Sequence, residues 1–244
     1  MRVLLLAGTT DARELAETAR GCPDIELIAS FAGRTREQRA LPCPVRVGGF
    51  GGIDGLVSFM RKHAVDAIVD ATHPFSSGMA RHARAAARIA HAPHARLVRP
   101  PWMPTDQDRW IDAKDITDAA HVVERLGMSP VLLTVGRLDL ASFAGLEPVT
   151  FVVRTVESPD PVPFRPVAVV RARGPFSVQD EAALISAHAI ELLVTKNAGG
   201  DDAKLVAARA ARLPVVMVQR PQIVAECCFT NAEDTLAWIS SVRP

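Results

Sequence analysis

An α/β fold in two domains, each on a parallel sheet, is what the sequence predicts, and three observations predict it. Short, wholly apolar runs recur along the chain, as strands buried on both faces require. Each run leads through a turn, often bearing glycine or threonine, into a helical stretch, so strands and helices alternate. The alternation stops at Pro100-Pro101-Trp102-Met103-Pro104 and then restarts, because proline fixes φ and removes a backbone donor. Two domains follow, residues 1–100 and 101–244, and a domain typically holds roughly 100–150 residues.

In chain order, Val3–Ala7 is the first buried strand, followed by Gly8-Thr9-Thr10 and a helix from Asp11 to Arg20 with Leu15, Ala16 and Ala19 on one stripe. Ile25–Phe31 reads as the second strand and Val45–Val47 as a weak third. The glycine cluster Gly48–Gly52 precedes a helix over Asp54–His63. Val65–Ala71 is a strand, Ser77–His91 an Ala/Arg-rich helix and Ala95–Val98 a short strand. Beyond the prolines come helix Asp115–Leu126, strand Val131–Val135, a turn at Gly136-Arg137 with a helix to Phe143, and strands Val149–Val153 and Val167–Arg171. Helix Val178–His188, strand Glu191–Thr195, helix Asp202–Arg212, strand Val215–Gln219 and a last helix, Glu233–Val242 with Asn231 as N-cap, complete the list. Such repeated units imply parallel sheets with right-handed crossovers.

Composition narrows the function. Hydrophobic residues make up 48% and charged residues 23%, with a formal net charge of +1, so no global field points to nucleic acid or to an acidic membrane. Cys22, Cys43, Cys227 and Cys228 form no CxxC or Cys/His ligand spacing, so no metal is expected, and reduced thiols fit a cytoplasmic protein. The opening apolar run is too short for a signal peptide, with Asp11, Arg13 and Glu14 close behind. No apolar stretch reaches the ~18 residues a membrane helix needs. Residues 1–100 carry 14 basic and 9 acidic side chains, and residues 101–244 carry 14 and 18. The first half therefore favours anions.

The chemistry gathers at strand ends. Gly8 after the first strand lets backbone approach a phosphate, and the helix beyond presents unpaired N–H groups and a positive dipole end. Thr9 and Thr10 add hydroxyls, and Arg13 a cation. Only one glycine of a GxGxxG fingerprint is present. The second strand ends in Gly33-Arg34-Thr35 with no carboxylate before Glu37; an arginine at that place accommodates the 2′-phosphate of NADP, where an acidic residue grips the ribose of NAD. Asp70-Ala71-Thr72-His73-Pro74 closes another strand and offers Thr72 to the cofactor and His73 to the substrate or a proton. In the second half Thr134-Val135-Gly136-Arg137, Lys196-Asn197-Ala198-Gly199-Gly200 and Gln219-Arg220-Pro221 repeat the pattern. So many strand ends bearing glycine, threonine and a cation predict a large polyanionic ligand between two domains.

Taken together and in order, these motifs and Leu213-Pro214-Val215-Val216 resemble the precorrin-6A reductase family of cobalamin biosynthesis. Asp11 stands where that family often has Glu, and Val135 where a small or hydroxyl residue is common. The resemblance implies two Rossmann-like domains with parallel sheets and a ligand cleft between them. It implies NADPH-dependent reduction of one double bond of the precorrin-6A macrocycle to precorrin-6B. The expected cofactor is NADPH, held by Gly8, Thr9, Thr10, Arg13, Gly33, Arg34, Thr35, Thr72, Gly136 and Arg137. The tetrapyrrole substrate is expected at His73, Lys196, Asn197, Gly199 and Arg220, with no metal. For the proton, His73, Asp70, Lys196, Asp201 and water all remain open. For Lys196 a substrate carboxylate is the favoured contact. A monomer or weak homo-oligomer is expected. A nucleotide-dependent transferase and a non-catalytic nucleotide sensor are the alternative classes; Arg34 argues against the first and the turns of the second half against the second.

Overall fold

The computed structural model describes residues 1–33, 40–157 and 161–242. The chain divides into two compact units, Met1–Pro100 together with Pro221–Pro244, and Pro101–Arg220. Residues 221–244 therefore pack with the first unit, whereas the sequence pattern groups them with the second.

The first unit contains β1 (Arg2–Leu6), α1 (Thr10–Ala19), β2 (Glu26–Phe31), β3 (Val45–Val47), α2 (Gly52–Lys62), β4 (Ala67–Asp70), α3 (Ser77–Ala90) and β5 (His94–Leu97), then β12 (Cys227–Phe229) and α7 (Ala232–Ser241). Its six strands, all parallel, lie in the order β12-β5-β4-β1-β2-β3. The apolar run at the start of the chain is explained by helices on both faces. Val3 and Leu5 pack with Leu15, Ala16 and Ile239, on the side of α1 and α7. Leu4 and Leu6 pack with Leu56, Met60, Ala83 and Ala87, on the side of α2 and α3. Alternate residues of a strand point to opposite faces, so a strand between two helical layers must be apolar throughout.

The second unit contains β6 (Trp110–Ala113), α4 (Ile116–Leu126), β7 (Val131–Leu133), a 3-10 helix (Arg137–Phe143), β8 (Phe151–Thr155), β9 (Ala168–Arg171), α5 (Val178–Ala187), β10 (Leu192–Lys196), α6 (Ala203–Ala210) and β11 (Val215–Val218). Its strands are also all parallel, in the order β6-β11-β10-β7-β8-β9. Leu132, Leu193, Val215 and Met217 pack with Ile185, Leu205 and Ala208 of α5 and α6. Buried Ala119, Val122 and Val123 of α4 and Leu140 and Phe143 of the 3-10 helix complete the core.

Two strands escaped the sequence pattern, β6 and β12. Both are sheet edges of three or four residues with part-exposed positions, so neither shows a buried apolar run. Each owes its strand character to a partner far away in sequence, β11 for β6 and β5 for β12. No described helix is long and apolar enough to cross a membrane.

Candidate active site

Each sheet has one place where strand order reverses: between β1 and β4 in the first unit, and between β7 and β10 in the second. At such a switch point the loops leave in opposite directions and open a crevice at the carboxyl ends of the strands, where open α/β sheets bind ligands.

In the first unit the crevice lies between Gly8 and Thr72-His73. Gly8 is exposed. A Cβ added there would sit 3.9 Å from Thr72 Cα and 4.0 Å from His73 N, so the glycine leaves open the room between the two strand ends. Thr9 is the N-cap of α1 and accepts a hydrogen bond from Ala12 N at 3.2 Å. Its hydroxyl donates to Ala71 O at 2.9 Å, tying the turn after β1 to the turn after β4. The hydroxyl proton of Thr9 is thus committed to the fold. Exposed Thr10 opens the helix. Arg13 donates to Ala40 O at 3.0 Å, and Asp11 pairs with Arg99 at 3.0 Å.

Asp70 is built into the core rather than the crevice. It is fully buried. Its Oδ1 accepts from Thr72 N at 3.0 Å and Thr72 Oγ1 at 2.6 Å, and its Oδ2 from Arg96 Nε at 3.0 Å. A carboxylate so covered and so paired serves the strand ends and is badly placed to give a proton to a ligand. Thr72 is spent in the same network. His73 differs: it is part-exposed, and its Nδ1 accepts from Phe75 N at 3.3 Å, which in the neutral ring puts the proton on Nε2. Beneath them His94 is buried, with Nε2 unpaired; burial pushes its imidazole below the ordinary range. Gly33 has φ of +74°, as a sharp turn after β2 demands of a residue without Cβ. Arg34 and Thr35 lie outside the described residues.

In the second unit Gly136 follows β7 closely, and Lys196 ends β10. Lys196 Nζ is 2.6 Å from Asp139 Oδ2. Asn197 is buried and clamps the Trp102 backbone, accepting from its N–H at 2.8 Å and donating to its carbonyl at 3.1 Å. Its side-chain amide therefore fixes the entry to the unit and is occupied on both sides. Arg220 Nε donates to Asn197 O at 2.7 Å, Gly199 has φ of +68°, and Asp201 accepts from Ala203 N at 3.0 Å. Arg137 pairs with Glu157 at 3.7 Å and stays half-exposed. A cavity of about 410 Å³ along α3, lined by Arg81, Arg84 and Arg88 among others, includes none of these strand-end residues.

Three participants were missed from sequence: Arg96 and His94, and Asp139 beside Lys196. Arg96 and His94 sit inside a strand and show no motif. Asp139 follows Gly136-Arg137 within the same turn, which was its only local signal.

Comparison with known proteins is decisive. Residues 2–240 match the model of the family described as precorrin-6x reductase CbiJ/CobK. The chain belongs to this family. It is 43% identical to the precorrin-6A reductase of Rhodococcus erythropolis over 99% of this chain and 98% of that protein. The corresponding reductase of Rhodobacter capsulatus is 37% identical, over 98% and 96%. A solved structure titled CobK precorrin-6A reductase has a TM-score of 0.92 at 36% identity, covering 99% of this chain and 97% of that one. The reductase thus acts in precorrin chemistry of cobalamin biosynthesis and has an α/β fold with two parallel six-stranded sheets.

Proposed function

We propose that this family member reduces one double bond of precorrin-6A to give precorrin-6B, with NADPH as the reductant. The observation that carries the cofactor's position is the crevice at the β1–β4 switch point. There Gly8 leaves a space bounded by Thr72 Cα and His73 N, and α1 aims its N-terminus at the same edge. Residues in this arrangement fit a pyrophosphate: among the described residues no side chain lies within 4 Å of where a Gly8 Cβ would stand, and backbone N–H groups with a helix dipole favour negative charge. When bound, the nicotinamide supplies a hydride.

The chain's own residues bind, orient and manage one proton. Thr9 and Asp70 hold the two strand ends in register through Ala71 O and Thr72. Arg34 is the partner for the 2′-phosphate, since a guanidinium fork matches a phosphate and no carboxylate stands between Gly33 and Glu37. Of the cations at the second unit's strand ends, Arg137 is assigned to the cofactor or a substrate carboxylate and Arg220 to a carboxylate of the tetrapyrrole.

The test is cofactor preference. Arg34→Ala is expected to weaken NADPH binding by roughly 2–4 kcal/mol, the cost of truncating a charged hydrogen-bonded partner, and to leave NADH binding nearly unchanged. Equal losses for both cofactors in a titration take Arg34 out of this role.

A further inference from the structure

Residues 222–226 lead into β12 and belong with it to the first unit. They face α3 across the cavity of about 410 Å³, a volume within the range of small-molecule sites. Arg81, Arg84 and Arg88 line the helix side of it, three and four residues apart on one helix face and all exposed. Among the described residues none of the three has a hydrogen-bond or ion-pair partner, and α3 contains no acidic residue. Like charges at this spacing repel, so the fold alone gives no reason for the row. Opposite stand Ile223 and Val224, the latter 67% exposed, with Glu226 as the acid of the lining. The sheet below is polar as well. His94 pairs in register with Ile68, which packs with α2 and α3, so His94 and Arg96 point to that same side. Both are buried, and His94 Nε2 and Arg96 Nη2 are left without partners. Arg84 and Glu226 of the cavity are among the charges that act on His94.

We propose that this cavity is a second binding site for a carboxylate-bearing tetrapyrrole, apart from the strand-end crevices. The choice of ligand rests on the precorrin chemistry of the family. Arg81 and Arg88 stand about 10 Å apart along the helix axis, so their guanidinium groups meet acid groups spread around a flat molecule rather than gathered on one centre. Each guanidinium offers a planar fork that matches a carboxylate. The apolar edge of the ring covers Ile223 and Val224, burial that a bare inorganic anion does not provide. Glu226 also disfavours a compact, highly charged anion. The cavity takes one edge of such a macrocycle, with its acid side chains, and leaves the rest in solvent.

The test titrates uroporphyrin, a stable tetrapyrrole rich in carboxylates, into wild-type enzyme and into an Arg81→Ala/Arg84→Ala/Arg88→Ala variant by calorimetry. Thermal unfolding of each serves as the control for folding. The triple variant is expected to bind one uroporphyrin fewer per chain than wild type. Arg84→Ala alone is expected to hold that molecule about tenfold more weakly, as the loss of one hydrogen bond to a charged group implies. Pyrophosphate at the same concentration is expected to leave the extra molecule in place, and kcat and KM for precorrin-6A with NADPH are expected to be unchanged in the triple variant. Equal stoichiometry and affinity in wild type and triple variant overturn the proposal. Displacement by pyrophosphate at matching affinity overturns it too, since the row is then a site for any anion. A fall in kcat/KM that accompanies the lost binding makes the cavity part of the active site and overturns it as a second site. Wild-type enzyme that binds the extra uroporphyrin yet consumes no NADPH with precorrin-6A removes the functional reading and leaves this site standing.

Discussion

At Gly8 an added Cβ would meet Thr72 and His73 at 3.9 and 4.0 Å, ordinary contact distances, so valine there folds but fills the crevice. Gly8→Val is expected to unfold at the wild-type temperature and to show no NADPH binding by calorimetry; wild-type affinity in the folded variant makes this turn a mere connection. Asp70 is argued the other way. Its carboxylate is buried against Arg96, with side chains 0% and 7% exposed, and removing one partner of a buried pair costs about 3–5 kcal/mol. Asp70→Ala is expected to lose stability on that scale in denaturant unfolding. Wild-type stability with a collapsed kcat restores Asp70 as a proton donor. These two residues also mark how far the sequence could be read. Gly8 was legible as a glycine between an apolar strand and a helix, and the structure puts it at the β1–β4 switch point. Asp70 announced itself just as clearly, at a strand end, yet its partner Arg96 stands within another strand, and nothing in the sequence couples them. Lys196 was found and its partner Asp139 was not, for the same reason: pairing is a fact of three dimensions.

Among the elements, long apolar strands and capped helices were legible. The continuous runs Val3–Leu6 and Ala67–Val69 are buried between two helical layers, and Asn231 caps α7 by accepting from Asp234 N at 2.8 Å. Edge strands β6 and β12 were not legible, since three or four part-exposed residues carry no periodicity. The stretch after Gly136 winds as a 3-10 helix, and that tighter turn sets Asp139 beside Gly136. The pairing of β4 with β5 puts His94 beside buried Ile68, among Asp70 and Arg96, with Arg84 and Glu226 contributing more weakly. Desolvation by burial lowers its imidazole below the ordinary 6.5, so the unfolded chain takes up the proton first. Its contribution to stability is therefore complete above about pH 6.5 and declines as pH falls from there towards the folded-state value. His94→Phe is expected to flatten that part of the stability curve measured by denaturant unfolding; an unchanged slope assigns the acid sensitivity to other groups.

Across the whole molecule, two parallel sheets with one switch point each supply two crevices, and each crevice has its own chemistry. The first offers an open glycine, a helix N-terminus and His73; the second offers Lys196 held by Asp139, while Arg137 follows β7 and Arg220 follows β11. The return of residues 221–244 to the first unit was invisible to local pattern, because β11, the second sheet's last strand, ends at Val218 and β12 joins a sheet begun far earlier in the chain. Family membership follows from the match over residues 2–240; the reductant and the product are a proposal. The most direct test of it follows nicotinamide absorbance while precorrin-6A is added to the enzyme with NADPH or with NADH, and assays the product. One NADPH consumed per macrocycle reduced, precorrin-6B as product and a far slower reaction with NADH are the expected result. Reduction of precorrin-6A without NADPH consumption, or at equal rates with both cofactors, contradicts it.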